Sequence, residues 1–215
     1  GLEGIAIGET LADPANPVPR PRVESRIGTD ADLVELVSAA HAAPSANGHG
    51  IKVLFDFVMK HVDLESGLYL GHWGWFARDS SDRIRPCGSD GWDDPYWGTR
   101  CAFADYLPPF DFYQSVVRDW SVNDALWWAT EFDLDGYRLD AIKHVPFEWL
   151  TELRARLDAA FSAPDGGRFY LVGETYTWDG RDTIRSFVNP DTMLDGQFDF
   201  PLKARVCEAV FTPGG

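Results

Sequence analysis

The sequence predicts an α/β protein built on a parallel sheet. Two observations carry this. Short apolar runs alternate with amphipathic helical stretches from about residue 29 onward. Two of those runs also end in charged residues, as strands that feed a cleft do. One long interruption, residues 62–113, is rich in Trp, Gly, Asp and Pro and keeps neither helical nor strand period.

Taken in order, residues 1–28 hold many Pro and Gly and read as loop, with Gly4-Ile-Ala-Ile7 as the one strand candidate. Thr29, Asp30 and Asp32 precede Leu33, Leu36, Val37 and Ala40, the pattern of a capped amphipathic helix that ends around Asn47–Gly50. Ile51 to Asp56 is an apolar run after a Gly-rich break and reads as a buried strand. Within 62–113, loop length alone points to a functional insertion. Its Trp73, Trp75, Trp92, Tyr96 and Trp97 suit stacking on sugar faces, but a small core inside the insertion accounts for most of them. His72, Asp90, Asp93 and Asp94 read as a solvated acidic loop rather than a metal site. Ser115 to Phe132 is helical, with Val116, Val117, Trp120, Leu126 and Trp127 as core residues. Gly136 to Ile142 is a strand. Pro146 opens a helix with Leu150, Leu153 and Leu157 on one face. Arg168 to Glu174 is a strand, and Gln197 to Phe200 another.

A chain of 215 residues can bury a sizeable core. Its 34 acidic against 19 basic residues give a net charge of −15, which disfavours nucleic acid and anionic membranes as partners. No apolar run approaches a membrane span. Three cysteines without a CxxC or paired histidines argue against structural zinc. Cys87 and Cys101 flank a Trp-, Asp- and Gly-rich stretch; a loop disulfide, implying an oxidising compartment, and free buried thiols are both open.

The chemistry gathers at two strand ends. Strand side chains alternate, so Arg138 and Asp140 share a face, with Ile142 following, while Tyr137, Leu139 and Ala141 share the other. A cation beside a carboxylate keeps it ionised, as a nucleophile requires. Tyr170-Leu-Val-Gly-Glu174 ends an apolar strand in a second carboxylate. Two carboxylates in different surroundings can divide the work of attacking a sugar carbon and protonating a leaving oxygen. Two structural ion pairs would leave the same pattern.

Gly136-Tyr-Arg-Leu-Asp140-Ala resembles the fourth-strand motif of the α-amylase family, and Val172-Gly-Glu174 its fifth-strand motif. Asp56-Phe-Val-Met-Lys-His61 resembles the third-strand motif, Leu107-Pro-Pro-Phe-Asp111 the motif closing the family's insertion, and Gln197-Phe-Asp-Phe200 the sixth strand. The matches follow family order over about residues 28–210. The resemblance implies a partial (β/α)8 TIM barrel over 1–61 and 114–215, with 62–113 inserted after the third barrel strand. It implies Asp140 as nucleophile, Glu174 as acid/base, Arg138 as supporting cation and Asp56 bracing Arg138. His61 would bind the sugar in the cleaved subsite, and Lys143 and His144 would line the leaving-group side. The activity implied is retaining hydrolysis of α-glucosidic bonds in starch-like α-1,4-glucans by a monomer, extracellular or periplasmic. The alternatives are a family transglycosylase or isomerase, or a non-catalytic carbohydrate-binding scaffold.

The sequence departs from the pattern in three places. Lys60 stands where many members have an Asn that ligates calcium, and an ammonium repels a cation, so no metal or other cofactor is expected. The third catalytic carboxylate is missing and is expected beyond residue 215. Phe187-Val-Asn-Pro-Asp191 is not its motif but a Pro-bearing turn. The first, seventh and eighth strands are not found, which implies part of a longer enzyme, inactive or poorly folded alone.

Overall fold

The structure, a computed structural model, describes residues 2–3, 22–44, 46, 48–161, 167–178 and 180–211. A two-residue antiparallel pair, β1 (Leu2–Glu3) with β2 (Arg22–Val23), precedes α1 (Asp30–Ala42). The strand candidate Gly4–Ile7 lies outside the described residues. At the start of α1 the Thr29 side chain accepts from the Asp32 N–H, and the Asp32 carboxylate accepts from the Thr29 N–H, forming a capping box. Val37 is buried, whereas Leu36 is 57% exposed. Among the described elements α1 packs chiefly on β2, so part of its apolar stripe has no cover.

The centre is a parallel sheet of β3 (Leu54–Phe57), β4 (Gly136–Leu139), β5 (Tyr170–Gly173) and β6 (Gly196–Gln197), in that spatial order. Sequence order equals spatial order, as in successive strands of an α/β barrel. Between β3 and β4 lie the insertion, with short helices α2 (Gly67–Gly71) and α3 (Gly88–Gly91), and then α4 (Ser115–Glu131). Helix α5 (Phe147–Ala160) links β4 to β5, and α6 (Arg181–Ser186) lies between β5 and β6. Helix α7 (Phe200–Val206) follows β6. Pro146 caps α5 and its Leu150, Leu153 and Leu157 are fully buried. Val117 and Trp120 of α4 are buried too and Leu126 and Trp127 partly so, while Val116 faces outward.

Two corrections concern strand ends. Strand β4 stops at Leu139, because Ala141 takes a left-handed conformation (φ 47°) that turns the chain into a 3-10 turn, Ile142–His144. Ile142 is therefore fully buried and does not continue the Arg138–Asp140 face. The sixth-strand ladder ends at Gln197. Phe200 starts a helix whose cap, Asp199, accepts from the Leu202 N–H at 2.8 Å.

The foot of the sheet is tied by buried charges. Arg154 of α5 is fully buried and donates to the Phe169 carbonyl (2.9 Å), the Met193 carbonyl (2.9 Å) and the carboxylates of Asp158 (3.0 Å) and Asp195 (2.6 Å). Asp135, just before β4, accepts from the Val53 N–H (2.8 Å), Lys52 (2.7 Å) and the His41 ring (2.8 Å). These donors lower the Asp135 pKa against the opposing effect of burial. Close strand approach explains one glycine: a Cβ at Gly173 would lie 2.5 Å from Leu194 Cδ1. The functional side chains collect at the opposite, C-terminal end.

Candidate active site

Parallel pairing puts Asp56 directly opposite Arg138. The guanidinium of Arg138 donates from Nη1 to Asp56 (2.5 Å) and to Asp140 (2.7 Å), and from Nη2 to Glu174. Backbone bonds fix the two strand-end carboxylates. Asp140 N–H donates to the Phe57 carbonyl (3.1 Å), and Glu174 N–H to the Leu139 carbonyl (3.0 Å). The strained turn at Ala141 follows at once; its Ile142 N–H reaches back to the Glu174 carbonyl (3.0 Å), so the ends of β4 and β5 are locked together. Asp140, Glu174 and Arg138 are each about a quarter exposed or less, open enough to meet a ligand. Burial opposes the charge on Arg138, but Asp56, Asp140 and Glu174 outweigh it and raise its pKa.

His61 sits close enough to Asp140 to feel its charge, yet burial dominates and, with Lys60, lowers its pKa, so the ring is neutral at pH 7. Its ring packs edge-on against Phe103, and its Nδ1 is buried with no hydrogen-bond partner among the described residues. Lys143 forms an ion pair with Asp93 of the insertion. His144 differs from expectation. It is 2% exposed, its Nδ1 is bonded to the Gly98 carbonyl (2.7 Å), and its ring is enclosed by Trp92 and Phe103. Burial draws its pKa down to about 4, so it is a neutral residue of the junction and does not line a cleft.

The structure separates the insertion's aromatics. Trp92 and Trp75 are half-buried and pack on Phe103 and Trp120, respectively, while Trp73 (54%) and Tyr96 (55%) are exposed. Asp90 pairs with Arg85, and Asp94 accepts from the Tyr96 and Trp97 N–H groups. Cys87 and Cys101 form a disulfide, and the thiol alternative is set aside. Among the described residues no group of three or more His, Cys, Asp or Glu could hold a metal ion. At the position of the family's calcium-ligating Asn, Lys60 is 1% exposed and its Nζ donates to the Thr99 carbonyl (2.7 Å), so these residues do not fit a divalent cation.

Sequence reasoning passed over one cluster. Tyr176 and Trp178, two and four residues beyond Glu174, are exposed and meet Phe200, while Phe198 lies 5.9 Å from the Arg138 guanidinium. The alternation Glu174-x-Tyr-x-Trp was the available signal.

No family model matches the chain. It is 23% identical over 232 residues to an α-amylase of Streptomyces lividans, covering 85% of this chain and 24% of that protein. It is 31% identical over 118 residues to a 1,4-α-glucan branching enzyme of Streptomyces coelicolor, covering 55% of this chain and 13% of that one. The chain thus spans a quarter or less of these relatives. The α-amylase of Geobacillus thermoleovorans, solved with acarbose, superposes with a TM-score of 0.69 at 27% identity, over 86% of this chain and 37% of that one. An Anoxybacillus α-amylase does so with a TM-score of 0.69 at 26% identity, over 87% and 37%. The chain is similar to α-amylases and to 1,4-α-glucan branching enzymes, and its four parallel strands correspond to a stretch of the α-amylase (β/α)8 barrel.

Proposed function

We propose that the full-length protein is a retaining glycoside hydrolase acting on α-glucosidic bonds, with α-1,4-glucan as substrate. The observation that carries this is one guanidinium, Arg138, holding carboxylates from the ends of two adjacent parallel strands. In this reading Asp140 attacks the anomeric carbon while the bond to the leaving oxygen breaks and that oxygen takes a proton from Glu174. Glu174 then removes a proton from water, which attacks the same carbon and releases Asp140. Arg138 aims the nucleophile through a charge-assisted hydrogen bond, and Asp56 braces Arg138 from the neighbouring strand. His61, neutral and beside Asp140, binds the sugar being cleaved. Tyr176 and Trp178 offer ring faces to the departing sugar.

The division into barrel segments 1–61 and 114–215 with an inserted 62–113 is supported by the disulfide closed within the insertion and by the bridge between His61 and Pro109 at its base. The disulfide also supports an oxidising, extracellular or periplasmic site of action.

A second reading, glucan transfer, is favoured by the branching enzymes at 30–31% identity. It shares the covalent step and differs in the acceptor, a sugar hydroxyl in place of water. The test is the full-length protein on soluble starch beside Asp140→Asn and Glu174→Gln. Both variants are expected to lose at least a thousandfold in rate; near-normal rates in either would remove its assigned role. New reducing ends in the wild-type products identify hydrolysis, and new α-1,6 branches without them identify transfer.

A further inference from the structure

We propose that Lys60 is a positioning residue whose ammonium takes the place of a structural metal ion, fastening the insertion to the barrel beside His61. The geometry is that of a joint. The chain leaving β3 and the chain returning from the insertion run antiparallel: His61 bridges Pro109, and the Phe110 N–H donates to the Lys60 carbonyl (3.0 Å). From this base the Lys60 side chain reaches the Thr99 carbonyl at 2.7 Å, while His144, just past β4, holds the adjacent Gly98 carbonyl at 2.7 Å. Two barrel side chains thus grip consecutive carbonyls of the insertion. Phe103 fills the space between, touching His61, Trp92 and His144 and lying 6.0 Å from the ammonium. Arg100 and Asp111 are the charged groups facing Lys60, and they oppose each other.

An isolated ammonium in the interior is costly, and a methionine of similar length would remove that cost. What the ammonium supplies is a directed, charge-assisted bond to a carbonyl that a divalent cation would otherwise have to gather. The joint is therefore assembled without metal, and its loss would release the wall of the cleft nearest His61. This rests on the reading of the site as glycosidic only for the activity readout described next.

The test uses full-length protein, wild type and the variants Lys60→Met and Lys60→Arg. Tryptic cleavage at the insertion's arginines is followed on reducing gels, with and without EDTA, together with kcat/KM on maltoheptaose. The expected result is insertion protection in the wild type that EDTA does not change. In Lys60→Met, cleavage is expected to rise at least tenfold and kcat/KM to fall at least tenfold; in Lys60→Arg, both are expected to stay within about threefold of wild type. Exposure of the wild-type insertion by EDTA, or a Lys60→Met protein protected and active like wild type, would overturn the proposal. Should Lys60→Met fail to fold, the Arg variant and the chelation arm decide it. A wild type inactive on every α-glucan would defeat the functional reading and leave the proteolysis result standing.

Discussion

Asp124 of α4 is a carboxyl group buried against the grain of its surroundings. It is 7% exposed, its Oδ1 has no hydrogen-bond partner among the described residues, and it borders a cavity of about 310 Å³ lined in part by Phe55, Phe57, Trp120 and Trp128. Burial raises its pKa from 3.8 to about 7, with a hydrogen bond from Trp128 opposing the rise. The folded protein therefore holds a proton here that the unfolded chain gives up near pH 4. Stability is lost as pH climbs from about 4 through about 7, by roughly 4 kcal/mol in all at about 1.4 kcal/mol per tenfold in ionisation constant. Asp124→Asn removes the titration and keeps the shape. From pH 5 to pH 8 the variant should gain on wild type by about 3 kcal/mol. Urea unfolding of full-length protein at the two pH values, followed by tryptophan fluorescence, reads this gap directly. An equal gap at both pH values would refute the assignment of a buried neutral acid at Asp124.

Three other outcomes are expected. Burial lowers the Lys60 pKa from 10.5 to about 7, with Arg100 adding and Asp111 opposing. The cost of its charge is complete below pH 7 and is relieved as pH rises toward 10.5, while the neutral amine keeps an N–H for the Thr99 carbonyl, so wild type should gain about 4 kcal/mol on Lys60→Met between pH 7 and 10 in urea unfolding. Arg154→Met removes a donor from the Phe169 and Met193 carbonyls and the buried cation beside Asp195, which keeps only the Leu171 N–H and the more distant Arg168, and should cost about 3–5 kcal/mol by the same assay at pH 7. Breaking the Cys87–Cys101 disulfide, 14 residues apart in sequence, with a paired serine substitution should cost about 3 kcal/mol, concentrated in hydrogen-exchange protection of residues 62–113.

The readable parts of this molecule are those written in short-range chemistry. The capping box at Thr29 and Asp32, the apolar face of Leu150, Leu153 and Leu157, and the placing of Arg138 and Asp140 on one face all follow from side-chain period and capping. What period cannot report is what covers a face, so Leu36 and Val116 read as core and stand in solvent. Nor does it foresee a left-handed alanine: nothing in Ala141 favours φ 47°, and only the crowded junction of two strand ends imposes it. Asp199 and Pro201, by contrast, did carry a helix-start signal that the aromatic alternation of Phe198 and Phe200 masked. His144 is the instructive residue of the candidate site. Its place in the motif pointed to the cleft, but the Gly98 carbonyl and two aromatic rings from the insertion, distant in sequence, enclose it.

The two ends of the sheet spend charge differently, and the difference bears on chemistry. At the foot, Arg154 and Arg168 face Asp158 and Asp195, and Lys52 with the His41 ring faces Asp135, so cations and carboxylates come close to balance where only stability is at stake. At the other end a single guanidinium serves three carboxylates, Asp56, Asp140 and Glu174, while the adjacent His61 is held neutral by burial. Even with Glu174 holding the proton that its proposed role requires, that end sets two carboxylates, Asp56 and Asp140, against one guanidinium in a partly enclosed site. Such an imbalance is costly in the resting protein and useful when a sugar carbon acquires positive character on the way to cleavage. A purely structural cluster would be expected to close its charge ledger as the foot does; the excess at Arg138 is what a developing oxocarbenium ion would meet.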